Sequence, residues 1–580
     1  MQSVLAQPDT WLTTVEKTDF RETPRYAETM AFCQRLADVS PMATFGDYGT
    51  SPQGRRLPLL VVDVDGLSDP QEIRRKDRQI LLVQNAIHPG ESDGKDASLI
   101  LMRDIAISGK HRQLLQRTSI VFLPIFNVDG HENFGPYNRA NQNGPEQMGF
   151  RATAQNVNLN RDYLKADAPE MQAWLAMYQR WQPDFLIDNH VTDGSDHQYV
   201  LTYGVARHRE VSEPLRNWTT SVLEPALVEG MAAEGYKVMR YFSMHHRPDI
   251  GNGINIPEFS PRYSTGFGAV RNRIFLLVET HTLKDYRTRV MGNYQLMLEV
   301  LRLMNRERAF LHQNNLAAER ESAALTGQYL ALRQEIDFGD STWMDFAGKA
   351  YRMVDSEISG NKWVQFSDRD TTLRLPVFGH IKVTDSTRVP YAYLLRREWP
   401  VQLAVLKRHG LRIRYLEKPV SLAVESYRFK QISWRSQPFE GRHMANYETE
   451  LIREERHYPA GTAVIVLDQP DSRVACHLLE PGSPDSFIAW GFWNGIFERK
   501  EYAEDYVLEE MSRKMLSEDP ALEGEFRQWL KDNPKMAENY WARLYFFYAK
   551  TPYYEDLENV YPVGRLMETT TLPLRDTLEN

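Results

Sequence analysis

The chain is 580 residues long, with a formal net charge of −9, 42% hydrophobic and 25% charged residues. That length exceeds one typical core, so about two or three domains are expected, and the mild acidic excess argues against a nucleic-acid partner. No apolar run is long enough to span a bilayer, and with only two distant cysteines, Cys33 and Cys476, neither a disulfide framework nor a cysteine-built zinc site is expected.

The opening "MQSVLAQPDTW" has neither a basic n-region nor a long apolar h-region. Read as the remnant of a removed signal, it favours export, with the cytoplasm left open. From there to about residue 310, strand-like and helix-like segments alternate. "LPLLVVDV" (57–64) and "QILLVQNA" (79–86) are apolar runs of strand length. "KDASLILMRDIAIS" (95–108) has helical spacing, "SIVFLPIFNVDG" (119–130) is another strand-like run, and "APEMQAWLAMYQRW" (168–181) is helical. "PDFLIDNH" (183–190) reads as a strand, "EPLRNWTTSVLEPALVEGMAAEGY" (213–236) as a helix, and "RIFLLVET" (273–280) as a last buried strand. Apolar strands alternating with helices predict an α/β fold with a mostly parallel or mixed sheet between helical layers.

Beyond it, 294–336 reads as one long helical stretch and 340–495 as a β-rich region that includes "SRVACHLLEPGSPDS". Within that region "PVQLAVLKRHGLRIRYL" (400–416) is read as a helix closed by Gly410, then a strand. The predicted division is a catalytic domain at 1–310, a helical linker at 311–339, a β-rich accessory domain at 340–500 and a helical tail at 501–580.

Four strand ends carry polar residues. His88 and Glu91 follow the 79–86 run in "HPGE", which taken alone is also good turn chemistry. "GFRATAQNVNLNRDY" (149–163) supplies Arg151, Asn160 and Arg161; His190 ends the 183–190 run, and Glu279 ends the last. A carboxylate at the end of an apolar strand is costly unless it is paired or working, and one shared site accounts for all four ends. Two histidines and a glutamate suit Zn²⁺ with a position left open. A further carboxylate, Glu279, is placed to take a proton from water and pass it on. Arg151 suits a developing oxyanion, and the planar fork of Arg161, with Asn160 beside it, suits a substrate carboxylate. Amide hydrolysis combined with a carboxylate grip is carboxypeptidase chemistry.

The ordered set "HPGE", "FNVDG" after a strand, "NLNRD", a later strand-end histidine and a strand ending in glutamate resembles the zinc carboxypeptidase family, over about residues 25–310 and in the manner of its large bacterial members. The resemblance implies a mixed, roughly eight-stranded sheet flanked by helices. It implies one zinc ion on His88, Glu91 and His190, with Glu279 as general base, Arg151 as oxyanion stabiliser, and Asn160 with Arg161 on the terminal carboxylate. Tyr263, in "SPRYSTGFGAVRNR", is the candidate for the family's substrate-contacting tyrosine, at a shorter spacing from the final strand. Arg271 and Arg273 are nearby candidates for selecting an acidic side chain.

One departure is chemical. The family usually has aspartate where this chain has Asn158, orienting a zinc-ligating histidine. An amide oxygen still accepts an imidazole N–H but adds no charge, and Asp188 is a candidate substitute. The expected partner is a peptide or acylated amino acid, with no nucleic acid and no membrane span. The expected activity is removal of a C-terminal residue. The alternatives are a zinc deacylase acting on N-acyl amino acids or cell-wall peptides, and a non-catalytic binding protein on a peptidase fold.

Overall fold

The computed structural model describes residues 8–192, 194–555 and 557–577. Its organising element is an eight-stranded mixed sheet. In spatial order the strands are Ala43–Thr50, Arg56–Val62, Thr118–Leu123, Gln79–Gln84, Phe185–Thr192, Ile274–His281, Leu201–Gly204 and Val238–Arg240. The four central strands, from Thr118–Leu123 to Ile274–His281, run parallel. The predicted α/β fold is therefore present.

The strands are buried on both faces, and their alternation divides the core. Leu81 and Val83 point into one apolar cluster with the helices Asp93–Ala106 and Tyr286–Arg306. Ile80 and Leu82 point into a second, with the helix Pro169–Trp181. The same two-residue period separates Ile120 and Phe122 from Val121 and Leu123. Continuous Val/Ile/Leu runs are what such doubly covered strands require.

The second cluster does not stop at residue 310. It continues without a break through Tyr393, Leu406, Ile465, Val474, Phe487 and Trp493. The accessory region is thus packed onto one helical layer of the catalytic sheet rather than tethered beside it. It contains a seven-stranded sheet and two long hairpins, Thr342–Asp355 with Lys362–Phe378 and Val420–Trp434 with Ala445–Tyr458.

Three expectations change. The 294–336 stretch is a helix Tyr286–Arg306, a second helix Arg308–Ala323, and then a strand Tyr329–Ile336, so the expected linker is only partly helical. "SRVACHLL", read as β, is the helix Ser472–Leu479; its apolar residues pack into the second cluster. The C-terminal tail is helical only to Tyr548, and Val563–Leu566 forms an inner strand of the seven-stranded sheet.

Candidate active site

His88 and Glu91 occupy the turn between the strand Gln79–Gln84 and the helix Asp93–Ala106. The turn is tight: the Glu91 N–H donates to the His88 carbonyl at 2.9 Å. A Cβ on Gly90 would come within 2.7 Å of Arg139 Cδ and 2.9 Å of the Gly149 carbonyl. Glycine is what lets Arg139 lie against this loop. His190 and Glu279 stand on adjacent parallel strands as direct register partners, so their side chains leave the sheet on the same face.

Three ligating atoms converge. His88 Nδ1 lies 3.2 Å and His190 Nδ1 3.0 Å from the two oxygens of Glu91, and the two Nδ1 atoms are 3.2 Å apart. Each of the three residues is only 2% exposed. The far side of each imidazole is fixed by an oxygen. Asn158 Oδ1 lies 2.9 Å from His88 Nε2 and also accepts the Asn160 N–H at 3.0 Å. That second bond identifies the atom as the amide oxygen. His88 therefore carries its proton on Nε2 and turns a bare Nδ1 inward. Asp188 Oδ2 holds His190 Nε2 at 3.0 Å in the same way. So Asp188 serves His190, and Asn158 keeps the bond to His88 that the aspartate-to-asparagine change put in question.

The electrostatics favour a cation between these groups. Burial pulls the His88 pKa down to about 4, leaving a neutral imidazole with a free lone pair. Burial also opposes charge on His190, but the Asp188 and Glu91 carboxylates outweigh it and hold that pKa well above the ordinary value. For Glu91, burial is outweighed by the neighbouring histidines and the Arg139 guanidinium, so it stays ionised. His88 offers a bare nitrogen, His190 one that a bound cation would free by displacing its proton, and Glu91 an ionised carboxylate; oriented from behind, they form a buried donor set that fits zinc.

The trio opens into a cavity of about 690 Å³, which Glu279, Arg151, Asn160, Arg161 and Tyr263 also line. The residues expected to hold zinc, to catalyse and to hold the terminal carboxylate all line this one cavity. Burial pushes the Glu279 carboxyl up to about 8, with Glu91 adding to the shift and His190 opposing it. Arg161 stacks on Tyr263, guanidinium carbon 4.3 Å from the ring centre. No carboxylate among the described residues pairs with Arg161.

Arg139, which in the sequence competes with Arg151 for the same role, is closer to Glu91 than Arg151 is, at 2.6 Å against 3.3 Å. It is also the more buried of the two, with 11% of its side chain exposed against 45%. No motif distinguishes the two arginines; the Gly90 contact does. Arg271 and Arg273 do not reach the cavity. Arg271 pairs with Asp471 at 2.9 Å and Arg273 with Glu319 at 2.5 Å, and both are buried. His281 packs against His197, ring centres 4.0 Å apart and tilted by 35°, and meets Asp196 at 3.2 Å. His245 packs on Phe378. Asp193 lies outside the described residues.

Residues 29–213 match the zinc carboxypeptidase family. Among curated proteins the chain is similar to carboxypeptidase 2 of Trichophyton rubrum, 21% identical over 503 residues that cover 81% of this chain and 84% of that protein. Carboxypeptidase 2 of Trichophyton equinum is 22% identical over 503 residues, with coverage of 81% and 84%. Among solved structures, a metallo-carboxypeptidase from Burkholderia cenocepacia aligns at 15% identity and a TM-score of 0.36, covering 48% of this chain and 69% of that one. A metallo-carboxypeptidase from Pseudomonas aeruginosa aligns at 17% identity and a TM-score of 0.36, with coverage of 49% and 69%.

Proposed function

We propose, from the match of residues 29–213 to the zinc carboxypeptidase family and from the site, that the protein is a zinc-dependent exopeptidase that removes single residues from the C-terminus of peptides. The observation that carries the proposal is the pairing, in one cavity, of a buried His–Glu–His donor set with an arginine that no carboxylate of the described chain neutralises.

The roles follow from position. Arg161 and Asn160 take the terminal carboxylate of the substrate, and Tyr263 holds the guanidinium plane by stacking on it. Zinc held by His88, Glu91 and His190 supplies Lewis acidity toward a carbonyl oxygen and toward water. Glu279, ionised once a cation in the site offsets the burial that holds its proton, removes a proton from the attacking water and delivers it to the departing amine, so that its carboxylate ends the cycle as it began. Arg151, with Arg139 beside it, meets the negative charge that develops on the scissile carbonyl oxygen.

The side chain of the departing residue is accommodated by the remaining wall of the cavity, which includes Tyr241, Phe259, Thr265 and Leu277. The Tyr241 and Phe259 rings lie 5.8 Å apart, and Phe259 and Tyr263 5.1 Å apart. Tyr241, Phe259 and Leu277 offer this wall rings and an aliphatic side chain, which favours an aromatic or large aliphatic residue.

The test is a mass-spectrometric digest. Zinc-loaded protein is incubated with peptides bearing free, amidated or N-acylated termini, beside the Glu279→Gln variant. Loss of one C-terminal residue from free-acid peptides alone, absent in the variant, is the expected result. Intact peptides in the presence of stoichiometric zinc would overturn the reading.

A further inference from the structure

The hairpin of Val420–Trp434 and Ala445–Tyr458 turns back at Phe439–Arg442, where Phe439 and Arg442 exchange backbone hydrogen bonds of 2.9 and 3.1 Å. Glu440 sits in this turn with φ of +50°, a left-handed conformation that a glutamate rarely adopts. Its carboxylate leaves the accessory region and accepts the backbone N–H of Asn158 at 2.8 Å. Asn158 is the residue whose Oδ1 accepts from His88 Nε2.

The turn is clamped at this position independently of Glu440. Arg442 forms two hydrogen bonds of 2.6 Å to the carboxylate of Asp167, and its guanidinium carbon lies 3.5 Å from the centre of the Phe492 ring. Phe439 stacks on Trp490 with ring centres 5.9 Å apart and an interplanar angle of 7°. Docking of the accessory region is thus already supplied by the Arg442–Asp167 pair and the shared core, with Phe439 and Trp490 stiffening the turn. That leaves the strained Glu440 doing something else. It fixes the backbone immediately behind the oxygen that orients His88.

We propose that Glu440 is a positioning residue for the metal ligand His88, acting through Asn158, so that the accessory region completes the metal centre. The relay is Glu440 Oε2 to the Asn158 N–H, then Asn158 Oδ1 to the His88 Nε2–H, with His88 Nδ1 left to face the metal. It rests on the zinc reading above. It also gives the neutral Asn158 a purpose: the carboxylate absent at that side chain is supplied to its peptide group from a residue 282 positions away. Outer-shell partners of this kind tune affinity because they restrict the ligand's orientation before the metal arrives.

The experiment measures zinc affinity on the full chain by competition with a chromophoric chelator, together with the absorption spectrum of the Co²⁺-substituted protein. Glu440→Ala should weaken zinc binding about tenfold and change the cobalt bands. Glu440→Gln, whose amide oxygen still accepts the N–H, should stay within about threefold of the parent, since a neutral acceptor replaces an ionised one. Glu440→Asp keeps the charge but loses a methylene of reach, and should resemble Glu440→Ala; it also serves if the alanine variant does not fold. Asn158→Ala should weaken zinc by at least as much, and Glu440→Ala should add little on top of it, because the two act in series. Parent affinity and an unchanged cobalt spectrum in both Glu440→Ala and Glu440→Asp would overturn the inference alone, as would full additivity with Asn158→Ala. A parent chain that takes up no zinc would overturn the metal centre and this inference with it.

Discussion

Arg161 lies against Tyr263, guanidinium carbon to ring centre 4.3 Å, and donates to the carbonyl of its own neighbour Asn160 at 2.6 Å. A stacked guanidinium is already oriented before a carboxylate arrives, so little freedom is lost on binding. Arg161→Ala should raise KM by about a hundredfold, corresponding to two charge-assisted hydrogen bonds of roughly 1.5 kcal/mol each. Arg161→Lys, which keeps the charge but not the fork, should cost about tenfold. Tyr263→Phe keeps the ring and should change KM by less than about threefold. Steady-state kinetics on a free-acid peptide provide the check, and equal losses for lysine and phenylalanine would contradict the assignment.

Glu279 should separate metal binding from turnover. It shares the cavity with His88, Glu91 and His190 but is not one of the three converging donors. Glu279→Gln is therefore expected to retain one zinc per chain while kcat falls by about three orders of magnitude, within the usual range for a lost proton carrier. Metal analysis alongside single-turnover kinetics reads both quantities. A variant that loses zinc in proportion to activity would reassign the residue as a ligand.

Metal removal should be visible in stability as well as in activity. Zinc at about a hundredfold over its dissociation constant stabilises a folded chain by roughly 2.7 kcal/mol. Thermal unfolding should therefore shift upward on adding zinc to chelator-treated protein. His190→Ala removes one of the two inward nitrogens, and in that variant the shift should vanish.

A pH effect is expected far from the metal. Glu170 begins the helix Pro169–Trp181 and is fully buried. Burial pushes its carboxyl from 4.5 up to about 7, with Asp129 and Asp162 adding to the shift and its own backbone N–H offsetting it in part. Between those two values the folded chain keeps a proton that the unfolded chain has released. Stability contributed by this group is therefore full below pH about 4.5 and lost as the pH rises through about 7. Glu170→Gln should abolish that loss, gaining at most about 3 kcal/mol at pH 8 and nothing near pH 4, if one pKa unit is taken as 1.36 kcal/mol. Denaturant unfolding at the two pH values decides it; equal effects at both would place the gain in packing.

Side-chain preference follows from the Tyr241, Phe259 and Leu277 wall. Peptides ending in Phe, Tyr or Leu should be cleaved with kcat/KM at least about tenfold above those ending in Lys or Glu, since an unpaired charge buried there costs more than 1 kcal/mol. A digest of matched peptides that differ only in the last residue measures this directly. A preference for Glu would instead point to Arg139 or Arg151 as the selecting group.

The sheet and the donor set were legible because each is written locally. Leu81–Val83 and Phe275–Val278 are buried on both faces, so they read as unbroken apolar runs, and the polar residue that ends such a run stands out. Asn158 was legible as a change of chemistry but not of geometry: the sequence gives no sign that Asp188 serves His190 instead. Glu440 was invisible for a different reason. Its partner is a backbone N–H, which carries no residue signature, and it acts across 282 positions. The inner strand Val563–Leu566 was hidden by its brevity, and by the arginine at 565, whose charge is met by Glu480 at 3.0 Å and Glu425 at 3.0 Å.

Val563–Leu566 lies between the strand Ala392–Leu395 and the hairpin that carries Glu440, and Ser426 of that hairpin donates to the carbonyls of Tyr561 and Val563 at 3.1 and 2.9 Å. His88, Glu91, His190 and Glu279 are all synthesised within the first half of the chain. The hairpin gains its inner neighbour only after residue 566 has been made. On the proposed relay, a growing chain holds every ligand long before the hairpin that seats Glu440 has its inner neighbour, and chains cut before residue 563 should bind zinc less tightly.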